Sequence, residues 1–214
     1  PTPPSPRPIS RAMLSLPRPD NRLYLGVGGS GKTTLALDHS WEFPRVIVCD
    51  PNGEAAHASG ADLVETKADL VDQARRPGAV RLCWRGFQSI PADEAFAWVN
   101  RVAWAAGNML VVWDEADLFM TAQRLPEDAY RLWNMGRHRR CRVFACSRRP
   151  ARVSRDCTAN LTRAAVFKTQ EPADLRFLAS FMEPSAAQEV AKLARFHAVD
   201  WNQEGWGVKK SPFA

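Results

Sequence analysis

Nowhere in the 214 residues does an apolar run approach the roughly 20 needed to span a bilayer, and the N-terminus lacks the apolar centre of a secretory leader. A transmembrane segment is therefore not expected, and the chain reads as intracellular, peripheral to a membrane at most. Metal-ligand spacing is missing as well. The five cysteines (Cys49, Cys83, Cys141, Cys146 and Cys157) form no Cys-x-x-Cys pair and are odd in number. Four lie in or beside apolar segments, which suits buried thiols in a reducing compartment better than a disulfide framework. The four histidines are scattered, so a structural zinc is not expected. Lysine is scarce, six against twenty-three arginines in a chain of net charge +6. That balance favours a polyanionic partner, although arginine also dominates subunit interfaces.

No internal repeat of useful length appears, and the length suits one α/β domain with little room for a second catalytic unit. Residues 1–20, with seven prolines and few apolar side chains, read as an extended, flexible arm. Residues 21–214 then alternate strand and helix as a single domain.

The first chemical landmark is Gly26-Val27-Gly28-Gly29-Ser30-Gly31-Lys32-Thr33, which fits Gly-x-x-x-x-Gly-Lys-[Ser/Thr]. Leu23-Tyr24-Leu25 before it is short and apolar enough for a buried strand, and Thr34 onward reads as a helix. A strand entering a glycine-rich bend and then a helix aims backbone N–H groups at one point, and the helix adds its positive end. Gly26, Gly28, Gly29, Ser30, Gly31, Lys32, Thr33 and Thr34 are thus the expected cradle for the phosphates of ATP. Lys32 would reach the β- and γ-phosphates, and the Thr33 hydroxyl would ligate Mg²⁺.

Val46 to Asp50 is a second near-continuous apolar strand, of the kind found in parallel sheets covered on both faces. Residues 54–78 carry little pattern beyond a helix over 68–76. A strand over 79–84 and a helix over 91–106 follow, the latter stopped by Gly107-Asn108. Met109 to Trp113 is then a buried strand from whose C-terminal end Asp114 and Glu115 emerge, where open α/β sheets bind ligands. About 80 residues after the phosphate loop, Asp114 is placed to hold Mg²⁺ beside Thr33 and Glu115 to polarise the attacking water. A further helix (126–135), strands over 142–147 and 164–168, helices over 173–181 and 185–195, and a hairpin around Gln203-Glu204-Gly205 complete the chain.

Between residues 131 and 163 stand ten arginines and one acid, a formal +9 that leaves about −3 for everything else. Such density is expected to form one face or channel lining. Arg137, Arg139, Arg140, Arg152 and Arg155 are the candidates for nucleic-acid phosphates, and an arginine supplied to a neighbouring subunit's γ-phosphate is the competing use.

The blocks 26–34, 111–120 (Val-Val-Trp-Asp-Glu-Ala-Asp-Leu-Phe-Met) and 140–150, with the order of the segments 160–169 and 171–181, resemble the HerA/FtsK superfamily of ring-forming DNA-pumping ATPases. More narrowly, they are similar to the small genome-packaging ATPases of tailless, internal-membrane viruses. The resemblance implies a RecA-like P-loop NTPase fold with a mostly parallel central sheet flanked by helices and a C-terminal β-hairpin. It also implies a hexameric ring, ATP hydrolysis with Mg²⁺, and double-stranded DNA driven through the pore, with capsid, portal or membrane-vertex proteins as further partners. Such a protein would be cytoplasmic or virion-associated. Where the family commonly has a γ-phosphate-sensing glutamine, this chain has Ser147, so a water-bridged serine or Arg148 takes that part. Arg85, Arg140, Arg148 and Arg149 are the arginine-finger candidates. Two other functions compete: a morphogenesis or secretion ATPase resembling the assembly proteins of filamentous phages, and a nucleotide-gated binding module with little turnover.

Overall fold

The computed structural model describes residues 20–211; the proline-rich arm expected over 1–20 lies almost entirely outside them. Seven strands run parallel: β1 (Arg22–Leu25), β2 (Arg45–Cys49), β3 (Asp62–Val64), β4 (Val80–Trp84), β5 (Leu110–Trp113), β6 (Arg142–Ser147) and β7 (Arg163–Phe167). They are joined through α1 (Lys32–Ser40), α2 (Ala55–Ser59), α3 (Lys67–Ala74), α4 (Ala92–Ala106), α5 (Glu127–Met135) and α6 (Arg155–Ala159). After α7 (Pro172–Leu178) and α8 (Pro184–Val190), β8 (His197–Asn202) and β9 (Gly205–Lys210) return as an antiparallel hairpin. The nine strands lie in the order β3-β4-β2-β5-β6-β1-β7-β8-β9.

Strand alternation divides the core in two. Leu23, Leu25, Ile47, Val111, Trp113 and Val143 face the layer built by α3, α4, α5, α7 and α8. Tyr24, Val46, Val48, Val112 and Phe144 face the other side, under Leu35, Ala36 and Leu37 of α1 and Ala55 of α2. Both faces are covered, which is why the central strands read as unbroken apolar runs. Trp113, at the end of β5, is fully buried and donates through Nε1 to Asn100 Oδ1 at 2.9 Å, so its polar edge is satisfied inside the core.

The expected fold class holds: a mostly parallel sheet flanked by helices, with the C-terminal hairpin. The differences are local: α6 (Arg155–Ala159) is not among the expected helices, the helix expected over 173–181 ends at Leu178, and two others have a plain cause. The weakly patterned stretch 54–78 contains α2 and the three-residue edge strand β3, whose Asp62 and Leu63 are exposed and so leave no apolar run to read. The helix expected over 185–195 stops at Val190, and the chain turns through 191–196 to enter β8.

The hairpin is fastened to the parallel part by Asp200. Arg163 of β7 donates to both its oxygens, at 2.7 and 2.5 Å, and Lys209 of β9 reaches it from the other side. Burial alone would raise the Asp200 pKa, but these bonds outweigh it and hold the group at about 2 against an ordinary 3.8. A carboxylate with a depressed pKa stabilises the fold above its unfolded value and loses that contribution as pH falls through the folded one. Asp200→Asn is therefore expected to lower the unfolding midpoint at neutral pH and to flatten the stability-versus-pH curve between about 4 and 2, measured by denaturant titration at each pH.

Candidate functional site

Because β1, β5 and β6 are parallel and adjacent in the order β5-β6-β1, their C-terminal ends meet at one rim. The loop from Gly26 to Gly31 leaves β1 there, its start tied by the Gly26 N–H to the Ser147 carbonyl at 3.1 Å. Gly26 admits no side chain, since a Cβ at that position lies 2.7 Å from the Phe167 Cβ on β7. Gly31 caps α1 at φ 97°, in the left-handed region that glycine occupies without penalty. Ser30 Oγ is buried in the loop without a hydrogen-bond partner, a polar atom that a bound phosphate oxygen would satisfy.

Thr33, in the first turn of α1, donates through Oγ1 to Asp114 Oδ1 at 2.8 Å. Lys32 is 4 % exposed, and its Nζ lies 3.7 Å from Glu115 Oε1. Burial raises the Asp114 pKa to about 6, the Thr33 bond pulling it down and the neighbouring Glu115 charge adding to the rise. A hydroxyl and a carboxylate, both hard oxygen donors and the latter reluctant to carry an uncompensated charge, are a donor set that fits Mg²⁺. Glu115 itself adopts a left-handed backbone (φ 50°, ψ 43°), a conformation that costs a non-glycine residue about 1–2 kcal/mol. It opens the 3₁₀ turn Ala116–Leu118, and the Leu118 N–H bonds back to its carbonyl at 2.9 Å. Its Oε2 forms an ion pair with Arg148 Nε.

The other expected residues are placed as follows. Ser147 Oγ donates to the Arg149 carbonyl at 3.1 Å and accepts from the Arg149 N–H at 3.2 Å, so its hydroxyl is engaged within its own turn. Arg149 Nε donates to the buried Asp174. Arg85 stands at the end of β4, two strands from Asp114 and so about 10 Å along the rim. Its guanidinium packs over Gly53, where a Cβ would meet Nη2 at 2.7 Å, and its Nε is buried without a partner. Between Arg85 and Asp114, at the end of β2, buried Asp50 accepts the N–H groups of Gly53, Glu54, Ala55 and Ala56 at 2.8–3.1 Å.

The 131–163 arginines, expected on one face or channel lining, divide into two groups. Arg137, Arg139 and Arg140 precede β6, and Arg148, Arg149 and Arg152 follow it, so the six residues of that strand hold the two groups roughly 20 Å apart on opposite rims. Several of these side chains are structural. Arg139 donates to the Trp104 and Ala105 carbonyls at the C-terminus of α4, Arg131 lies over the Trp104 ring, and Arg155 bonds Ser180 Oγ and covers Phe177. Among the described residues, the exposed Arg137, Arg140 and Arg152 side chains have no such partner.

Beside the phosphate loop opens a cavity of about 550 Å³, walled by residues 27–30, by 167–170 at the end of β7, and by 194–196. Its volume suits a nucleoside. The rings of Phe167 and Phe196 approach Gly31 from this side, and Phe196, at φ 60°, is stacked under Arg195. The sequence reading did not include these residues. No motif carries them; the turn that delivers Phe196 depends on where β8 folds back onto β7.

The fold is shared with solved P-loop proteins. The genome packaging NTPase B204 from Sulfolobus turreted icosahedral virus 2, in complex with AMPPCP, superposes with a TM-score of 0.74 at 17 % identity, over 90 % of this chain and 97 % of that one. B204 from Sulfolobus Turreted Icosahedral Virus, described as the DNA-packaging ATPase, gives 0.69 at 15 % identity over 90 % and 97 %. VirB4 of Thermoanaerobacter pseudethanolicus gives 0.59 at 10 % identity over 90 % of each chain. No protein-family model matches the sequence, and no curated protein does.

Gly26→Ala forces the phosphate loop and β7 apart. It is expected to cost ~1–3 kcal/mol of stability by overpacking and to weaken binding of a fluorescent ATP analogue at least tenfold, whereas Lys32→Ala weakens binding with a smaller change in unfolding midpoint. Thermal melts and nucleotide titrations of the two variants check the pair of outcomes.

Proposed function

We propose that the chain is an ATP-hydrolysing subunit of a motor that translocates double-stranded DNA, of the kind that packages a viral genome. The observation that carries this reading is the hydrogen bond from Thr33 to Asp114, which joins the phosphate loop and the paired acids at one rim although 81 residues separate them. The nucleoside-sized cavity opening from the same loop supports it, as does the fold shared with the B204 proteins.

In this reading the backbone of 26–31 and Thr34 cradles the phosphates, Ser30 Oγ donates to one of them, and Lys32 leaves Glu115 for the β- and γ-phosphates. Thr33 and Asp114 would hold Mg²⁺, which when bound neutralises charge developing on the triphosphate. Glu115 takes the proton-accepting, water-orienting part, held by a strained backbone that fixes where its carboxylate stands. Arg148, already on Glu115, is better situated than Ser147 for the sensing part, acting beside the γ-phosphate through that carboxylate, because the serine hydroxyl is bonded to Arg149. Arg85, with an unpartnered guanidinium nitrogen two strands away, is the candidate for service to a neighbour's nucleotide in a homo-oligomeric ring; Arg140 and Arg149 are less suited, the first by its place on the far rim and the second by its bond to Asp174. Arg137, Arg140 and Arg152 are the arginines left to meet DNA phosphates.

No helix of the described residues is long and apolar enough to cross a membrane. The proposed setting is the host cytoplasm or the virion, with capsid or vertex proteins as partners.

Lys32→Ala and Glu115→Gln are each expected to abolish phosphate release, the second with nucleotide binding retained; parental turnover by Glu115→Gln would remove Glu115 from its role. Duplex DNA should stimulate the parental chain and lose that effect as salt rises, since phosphate contacts release counterions. Combined replacement of Arg137, Arg140 and Arg152 by alanine should abolish the stimulation without changing basal turnover. Salt-independent stimulation would count against phosphate contacts.

A further inference from the structure

Asp117 has no part in the reading above, yet it is a carboxylate only 7 % exposed, two residues beyond Glu115. It sits in the turn Ala116–Leu118 that Glu115 opens, and its Oδ1 accepts the Arg148 N–H at 3.1 Å. Arg148 therefore meets one short segment twice: its backbone N–H is bonded by Asp117, and its guanidinium lies in an ion pair with Glu115 Oε2, a buried oxygen that accepts no hydrogen bond among the described residues. The two contacts join the ends of β5 and β6, neighbouring strands whose following segments meet again where the Arg155 N–H donates to the Ala122 carbonyl at 3.2 Å. From the opposite side Asp174, 1 % exposed, holds the next residues, taking Arg149 Nε at 3.2 Å and the Ala151 N–H at 2.9 Å. The Ser147 hydroxyl closes the turn between them. The direction in which the Arg148 side chain departs is thus set by bonds to its own backbone and to the residues that follow it.

We propose that Asp117 is a positioning residue for ATP hydrolysis, acting through Arg148 on Glu115. The inference rests on the hydrolytic reading above and adds to it a cause for the carboxylate's orientation. Lys32 and Arg148 each face one oxygen of Glu115. Once Lys32 turns to the triphosphate, Arg148 is the cation that keeps Oε2 in place, which leaves Oε1 to accept from the attacking water. A shift of Arg148 by about an ångström misdirects that oxygen, and misplacement on this scale lowers rates by up to about a hundredfold. Nucleotide affinity, set by the loop and Lys32, is untouched.

The test is a double-mutant cycle on steady-state ATP turnover by the full chain. Asp117→Ala should lower kcat at least tenfold with KM for ATP within about twofold of the parental value. In an Arg148→Ala background the same substitution should have no further effect, because the two residues act as one unit. Asp117→Asn, which keeps an oxygen facing the Arg148 N–H, should retain activity within about threefold. An unchanged kcat in Asp117→Ala, or an equal loss in the Arg148→Ala background, overturns the proposal. If the alanine variant does not fold, Asp117→Leu, which keeps the side chain's shape without an acceptor, is carried through the same cycle with the same expectations. A parental chain that binds ATP but never releases phosphate overturns the hydrolytic reading itself, a result distinct from either failure.

Discussion

The 2.8 Å bond between the Thr33 hydroxyl and the Asp114 carboxylate is the join on which the rest of the site depends. It is possible because β1, β6 and β5 are neighbours pointing the same way, so that the first turn of α1 and the end of β5 come to one rim. Lys32 and Glu115, each next in sequence to a member of this pair, are carried into contact by the same alignment. Further out, Arg148 reaches Glu115 from β6, and the loop beyond it is held by Asp174 at the third residue of α7. Each contact is the consequence of the parallel register one strand further along.

How much of this is legible in the sequence depends on whether the information is local. Gly26 to Thr33 states its own geometry, because glycine spacing, lysine and threonine act within one turn of chain. The five apolar residues before Asp114 likewise fix both a buried strand and the end from which the acids emerge. β3 is illegible for a physical reason: two of its three side chains face solvent, so burial leaves no mark on their identity. Phe196 is illegible for another, since its place beside Gly31 is decided by a turn and a strand pairing that begin after α8. Ser147 was legible as the end of a strand but not in its partner; a short hydroxyl finds the nearest backbone groups, those of Arg149, before it can reach across a site.

The arginines make the same distinction. Their number in 131–163 suggests one charged face, yet the strand running through the middle of that segment sends its two ends to opposite rims. Arg45 closes the C-terminal carbonyls of α3 and Arg139 those of α4, where a cation opposes the negative end of the helix dipole. Arg22 and Arg163 are likewise spent in ion pairs at the starts of their strands. Much of the formal charge is mortar between elements, and the field a polyanion would meet is that of the few side chains left over.

Asp50 has a consequence of this kind for anion selection. The four amides that open α2 make a second oxyanion nest on the same rim, and the protein fills it with its own carboxylate. That occupant is tethered, so no dissolved phosphate competes with it on equal terms. Under the proposed function, these four amides are already occupied when a triphosphate comes to the rim, which leaves it the loop 26–31.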